Sequence, residues 1–264
     1  MGTRRRFWSL VPLGLAKLFT DQAIPTGGIG GTLLVVSALG KRGIRPGVAM
    51  AALLIGMISF YIAYVTAVAI ALAQLYRQGH LDLLMLGGAA IFLCVAVAIP
   101  GVVLMLHRWY RNNGQGGSTA LRYLQRVPGI TTLLAALAEA PADLLRRPLP
   151  FLRASLLQFA VFVLDAATLW IMLRAIGVFA TPGAVFAAFM MASLAATIGP
   201  MPLGLGTFEA VSTAMLHLQG FSVEAALTAT LLLRGFTFWL PMLPGLLIAR
   251  RELHRPTHHD GSRG

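Results

Sequence analysis

Between Gly47 and Leu75 the chain carries no charged side chain. Coiled as a helix at 1.5 Å per residue, this run exceeds the hydrocarbon core of a bilayer, about 30 Å thick. A surface helix of a water-soluble domain needs a polar face, and this one has none. The segments 83–107, 154–173 and 225–249 are of the same kind, although Asp165 and Arg234 interrupt the last two. Composition agrees: 57% of residues are apolar and 11% charged, against about 25% charged in soluble domains. The sequence therefore predicts an all-α, polytopic integral membrane helix bundle.

Two further apolar stretches are broken. Residues 8–39 are cut by Lys17, Asp21, Pro25 and the glycines Gly27, Gly28, Gly30 and Gly31; residues 183–219 are cut by Gly199, Pro200, Pro202, Gly204 and Gly206. Proline removes a backbone donor and clashes with the preceding turn, and glycine costs about 1 kcal/mol relative to alanine inside a helix. The resulting pieces are too short to span. Positive charge is concentrated on cytoplasmic loops, so Arg4, Arg5 and Arg6 share a side with Lys41, Arg42 and Arg45. Residues 8–39 are then expected to form a re-entrant hairpin entering from the cytoplasm. The same bookkeeping along the chain makes 183–219 a hairpin entering from the outer side, with Arg250, Arg251 and Arg255 inside. Both termini are expected in the cytoplasm, and the two broken-helix hairpins form an inverted repeat. Pro25 with Pro202, Gly27 with Gly204 and Gly43 with Gly220 match at one gapless offset.

The domain reading is one transmembrane unit over 1–251, including a basic interfacial segment at 108–150, followed by a disordered tail at 252–264. Leucines and arginines on different faces lay the interfacial segment on the inner membrane surface, as a linker or a docking site for a partner. The tail holds His254, His258 and His259, which could collect a metal but read first as part of a disordered tail, so no metal site is assigned. The N-terminus begins like a secretion signal, but Lys17 breaks its apolar run and no small-residue cleavage site follows, so it is expected to stay. A net charge of +12 on a membrane protein points to anionic headgroups and not to nucleic acid. The lone Cys94 lies in an apolar run and reads as packing.

Irregular backbone at membrane depth survives only where protein or a water-filled cavity satisfies it. Half-helices starting there present free N–H groups and a positive dipole end, which suits an anion. Glycine breaks also serve close helix packing, but prolines add nothing to that. "GGIGGT" is not a nucleotide loop, since no lysine follows in place. Charged side chains at depth cost about 2.5–3.5 kcal/mol on insertion scales and need partners or tasks. Arg234 lies about 15 Å along its helix from Glu224, near the midplane. Asp165 is central between Arg153 and Arg174. Glu209 falls in the first turn after the second break, beside Thr207 as a cap. Glu209 also fits a plain helix-start preference, Asp165 and Arg234 a structural ion pair, and Lys17 with Asp21 a local pair.

"PTGGIGGTLLVVSALGKRG" together with "PMPLGLGTFEA" and "QGFSVEAALTATLLLRGFTFWLPMLPG" resembles the lysylphosphatidylglycerol synthase transmembrane, or flippase-like, family over most of 15–251. The resemblance implies translocation or handling of charged lipids, with Glu209 and Arg234 on matched positions. The arginine often found after the first glycine motif is absent from 33–40. Nothing in the sequence resembles the aminoacyl-transfer domain of two-domain members, so synthase activity is not carried over and the chain is expected not to be an enzyme. No HExxH pair, serine motif or midplane aspartate pair offers another chemistry. The expected site comprises Gly27, Gly28, Gly30, Gly31, Gly204, Gly206, Glu209, Arg234 and Asp165, with no cofactor. Its ligand would be a membrane phospholipid or polyprenyl-linked lipid in a bacterial plasma membrane. The alternative is a non-transporting subunit that scaffolds a glycosyltransferase or lipid-modifying enzyme.

Overall fold

A computed structural model describes Gly14 and residues 29–41, 43–113, 148–199, 201 and 204–240. Among these the regular structure is helical throughout. The elements are α1 (Ile29–Gly40), α2 (Pro46–Gln78), α3 (Leu83–Asn113), α4 (Pro148–Ala175), α5 (Pro182–Ile198), α6 (Thr207–Leu218) and α7 (Val223–Arg234), followed by a π-helical turn at Gly235–Trp239. The chain is an integral membrane protein: Gly47–Gln78, Leu83–Val102 and Pro148–Ala175 are long and apolar enough to cross. Of the fourth expected span, 225–249, residues 241–249 lie outside the described residues; in the rest, the π-helical turn follows directly after Arg234. The helices flanking the interfacial segment reach into it, since α3 runs to Asn113 and α4 begins at Pro148. The rest of that segment lies outside the described residues, as do the 252–264 tail and the pair Lys17 and Asp21.

The residues divide into two compact units. In the first, Val35 and Ala38 of α1 are buried and pack with Leu39 against Leu53 of α2. The second holds the rest of α2, most of α3, and α4 to α7. Its helices cannot rely on the hydrophobic effect in lipid, so close packing must hold them, and small residues permit the approach. Ala67 and Ala71 of α2, Ala166 of α4, Ala187, Ala188 and Ala192 of α5, and Ala226 and Ala229 of α7 are all buried in one core. Helix α5 buries residues on every face, as a helix apolar all round should. Aromatic rings fill the gaps: Tyr64 stands 4.4 Å from Phe92 and 5.0 Å from Phe162, joining α2, α3 and α4.

Polar ties fix the register. The Tyr64 hydroxyl donates to Thr197 Oγ1 at 3.0 Å, and Thr197 in turn donates to Ser193 O. Ser212 of α6 and Thr230 of α7 share a fully buried hydrogen bond of 2.9 Å.

The second broken segment is two helices, as expected. Helix α5 has 17 residues and α6 has 12, with the break at 199–206 between them. Gln219, just past α6, donates to Ala184 O near the start of α5 at 3.1 Å. The two helices thus pack antiparallel as a hairpin, and the break lies at its tip. In the first broken segment α1 begins at Ile29, so Gly30 and Gly31 lie in its first turn. The local pattern repeats within one residue of the offset that aligns the glycines. Each 12-residue helix, α1 or α6, is followed by a glycine with positive φ, Gly43 at 78° or Gly220 at 91°, and then by the next helix. Only glycine takes such a φ routinely, which explains why both turns use it.

Candidate functional site

The tip of the α5–α6 hairpin is shaped by one glycine. Gly204 has φ +62°, and a methyl group there would lie 2.5 Å from Ala196 Cβ on α5. The chain therefore turns back against its own helix as tightly as backbone permits. Gly206 caps α6 with φ 82°. The expected cap, Thr207, is instead the first helical residue, because Glu209 reaches back and accepts from the Gly206 N–H at 2.7 Å. An acidic residue in the first turn satisfies an orphan donor and complements the helix dipole.

The other oxygen of Glu209 faces α7. Arg234 Nε donates to Glu209 Oε1 at 2.9 Å, and Arg234 Nη2 donates to Gly204 O at 3.2 Å. The guanidinium lies 4.5 Å from the centre of the Phe208 ring. Both charged side chains are largely covered, at 13% and 15% exposure. One arginine thus joins the carbonyl of the break, the acid of the following helix and an aromatic face. A charge pair this well covered is stabilising only with good geometry and further hydrogen bonds, and here both oxygens of Glu209 are engaged. Arg234 is also the last residue of α7, so the guanidinium hangs at the junction with the π-helical turn. Such turns are rare and concentrate at functional sites.

Of the expected site residues, the structure brings together Gly204, Gly206, Glu209 and Arg234. Asp165 is half-buried on α4, and no hydrogen bond or ion pair engages it among the described residues. The pair expected between Asp165 and Arg234 is replaced by the pair of Glu209 and Arg234. Gly31 is buried in the first turn of α1, Gly30 precedes it, and Gly27 and Gly28 lie outside the described residues. Sequence reasoning missed Phe208, whose only signal was its place beside Glu209 at the start of α6.

The class is now defined: a polytopic helical membrane protein whose broken hairpin carries a covered charge pair at its tip. A family model described as the lysylphosphatidylglycerol synthase TM region matches residues 1–245, and the chain belongs to that family. No curated protein and no solved structure matches the chain. Membership ties the protein to membrane lipids.

Proposed function

We propose that the protein translocates a charged membrane lipid whose headgroup binds at the tip of the α5–α6 hairpin. The observation carrying this reading is that Arg234, largely covered on an apolar helix, is held by Glu209 and by a break carbonyl. Neither α5 nor α6 is long enough to span: 17 and 12 residues make roughly 25 and 18 Å. The hairpin is re-entrant, and its tip reaches toward the midplane. Glu209 is then the resident anion of the site. A phosphate oxygen replaces Oε1 on Arg234, and an ammonium of the headgroup replaces Arg234 on Glu209, so neither charge is stranded at any stage. Stranding either one would cost several kcal/mol at membrane depth. A headgroup with both charges, such as an aminoacylated phospholipid, satisfies this exchange best. A simple anionic phospholipid or polyprenyl phosphate satisfies half of it. We take the role as transport and not catalysis, and the positive-inside rule supports both termini in the cytoplasm of a bacterial cell.

The test is lipid scrambling in reconstituted vesicles, read as the bleaching of fluorescent phosphatidylglycerol by an impermeant reductant. Arg234→Ala should lower the rate at least tenfold while insertion is kept, and Arg234→Lys should recover part of it. An unchanged rate in Arg234→Ala would refute the reading.

A further inference from the structure

A second feature of the same unit stands apart from Arg234. A groove of about 340 Å³ runs between α2, α4 and α5, lined by Ile70, Gln74, Phe159, Val163, Trp170 and Phe186 among others. Its walls are apolar except at one end, where Gln74 lies so close to Gly183 that a methyl group there would be 2.9 Å from Gln74 Nε2. That end is also the Trp170 end, and the indole N–H is fixed by donation to Ala180 O at 2.9 Å. From Phe159 to Trp170 the groove follows about 16 Å of α4, and one leaflet of the hydrocarbon core is about 15 Å deep. One turn beyond Trp170 stands Arg174, exposed, its guanidinium 4.4 Å from the centre of the Trp170 ring and 5.6 Å from that of Phe179. Phe179 is 79% exposed. Tryptophan and exposed aromatic rings beside a cation mark the headgroup level of a membrane. No carboxylate pairs with Arg174 among the described residues.

We propose that this groove seats one acyl chain of an anionic glycerophospholipid, with the lipid phosphate on Arg174. Length, lining and charge all fit that occupant: a leaflet-deep apolar groove, small at Ala167 and Gly183, with a cation one helical turn beyond its headgroup end. The site is separate from the hairpin tip and binds a resident lipid whether or not that lipid is transported.

The experiment uses the full chain with Trp8, Trp109 and Trp239 replaced by Phe, so that Trp170 alone reports. It is placed in phosphatidylcholine vesicles containing a minor fraction of lipid brominated on its acyl chain. Brominated phosphatidylglycerol should quench Trp170 as though enriched about fivefold over brominated phosphatidylcholine, the equivalent of the roughly 1 kcal/mol one basic residue contributes at an anionic surface. Arg174→Gln should bring the two lipids to equality, and Ala167→Phe, which fills the groove, should weaken quenching by both. Equal quenching in the unsubstituted groove, a preference that survives Arg174→Gln, or no response to Ala167→Phe each overturns the proposal. Native mass spectrometry of the chain with all four tryptophans checks it independently: phosphatidylglycerol should be retained over phosphatidylcholine, and loss of both alike counts against it.

Discussion

Replacing Gly204 by Ala perturbs the hairpin tip at one atom. The added methyl meets two costs. A left-handed φ of +62° disfavours any residue with a Cβ by about 1–2 kcal/mol. The 2.5 Å approach to Ala196 Cβ forces a shift of the break away from α5, and overpacking of this kind costs about 1–3 kcal/mol. Together they destabilise by about 2–5 kcal/mol. The shift also moves Gly204 O, which accepts from Arg234 Nη2 at 3.2 Å, so the charge pair should loosen as well. Gly206 supplies the control: its φ is 82°, yet a methyl there meets nothing within 4 Å. Gly206→Ala should therefore cost only the conformational part, about 1–2 kcal/mol. Adding Ala196→Gly to Gly204→Ala removes the closest contact and should restore much of the difference. Thermal unfolding in detergent, ranked across the native chain and the three variants, reads the order directly. If Gly204→Ala melts with Gly206→Ala, close packing at the tip plays no part and the reasoning fails.

Further outcomes follow from the same contacts. Glu209→Ala should destabilise by about 3–5 kcal/mol, since it leaves the covered guanidinium without its carboxylate, whereas Glu209→Gln keeps one acceptor and should lose clearly less; unfolding midpoints compare the two. Tyr64→Phe removes the hydrogen bond to Thr197 and should cost about 0.5–1.5 kcal/mol, with no change in helix content by circular dichroism. A double-mutant cycle with Ser212→Ala and Thr230→Val should give a coupling of about 0.6 kcal/mol, the usual size for such bonds between membrane helices. Asp165→Asn should scramble lipid at close to the native rate, because no bond joins Asp165 to Arg234 or Glu209.

Much of this architecture is legible in the sequence for a simple reason: length and hydropathy alone decide whether a helix can cross a bilayer. That is why 47–75, 83–107 and 154–173 emerge inside helices that hold a span, Pro46–Gln78, Leu83–Asn113 and Pro148–Ala175. The break at 199–206 is equally legible, because glycine and proline act through local backbone chemistry. Partner choice is another matter. The place of Arg234 along its helix follows from counting residues, but its pairing with Glu209 and not Asp165 depends on how α6 and α7 fold back on each other, which no local pattern encodes. Thr207 is a sound cap by residue type, and it yields to Gly206 because the Glu209 carboxylate takes the orphan N–H. The π-helical turn after Arg234 had no signal beyond Gly235, a glycine like many others in membrane helices.

Headgroup translocation at the hairpin tip requires the tip to open to water at membrane depth, and cysteine accessibility at Leu205 tests that requirement most directly. Leu205 lies in the break, 37% exposed, between the two glycines. In a Cys94→Ala background, Leu205→Cys should react with a water-soluble thiol reagent in vesicles, and anionic phospholipid should slow that reaction. A cysteine reached only by a lipid-phase reagent would place the tip among acyl chains and contradict the account.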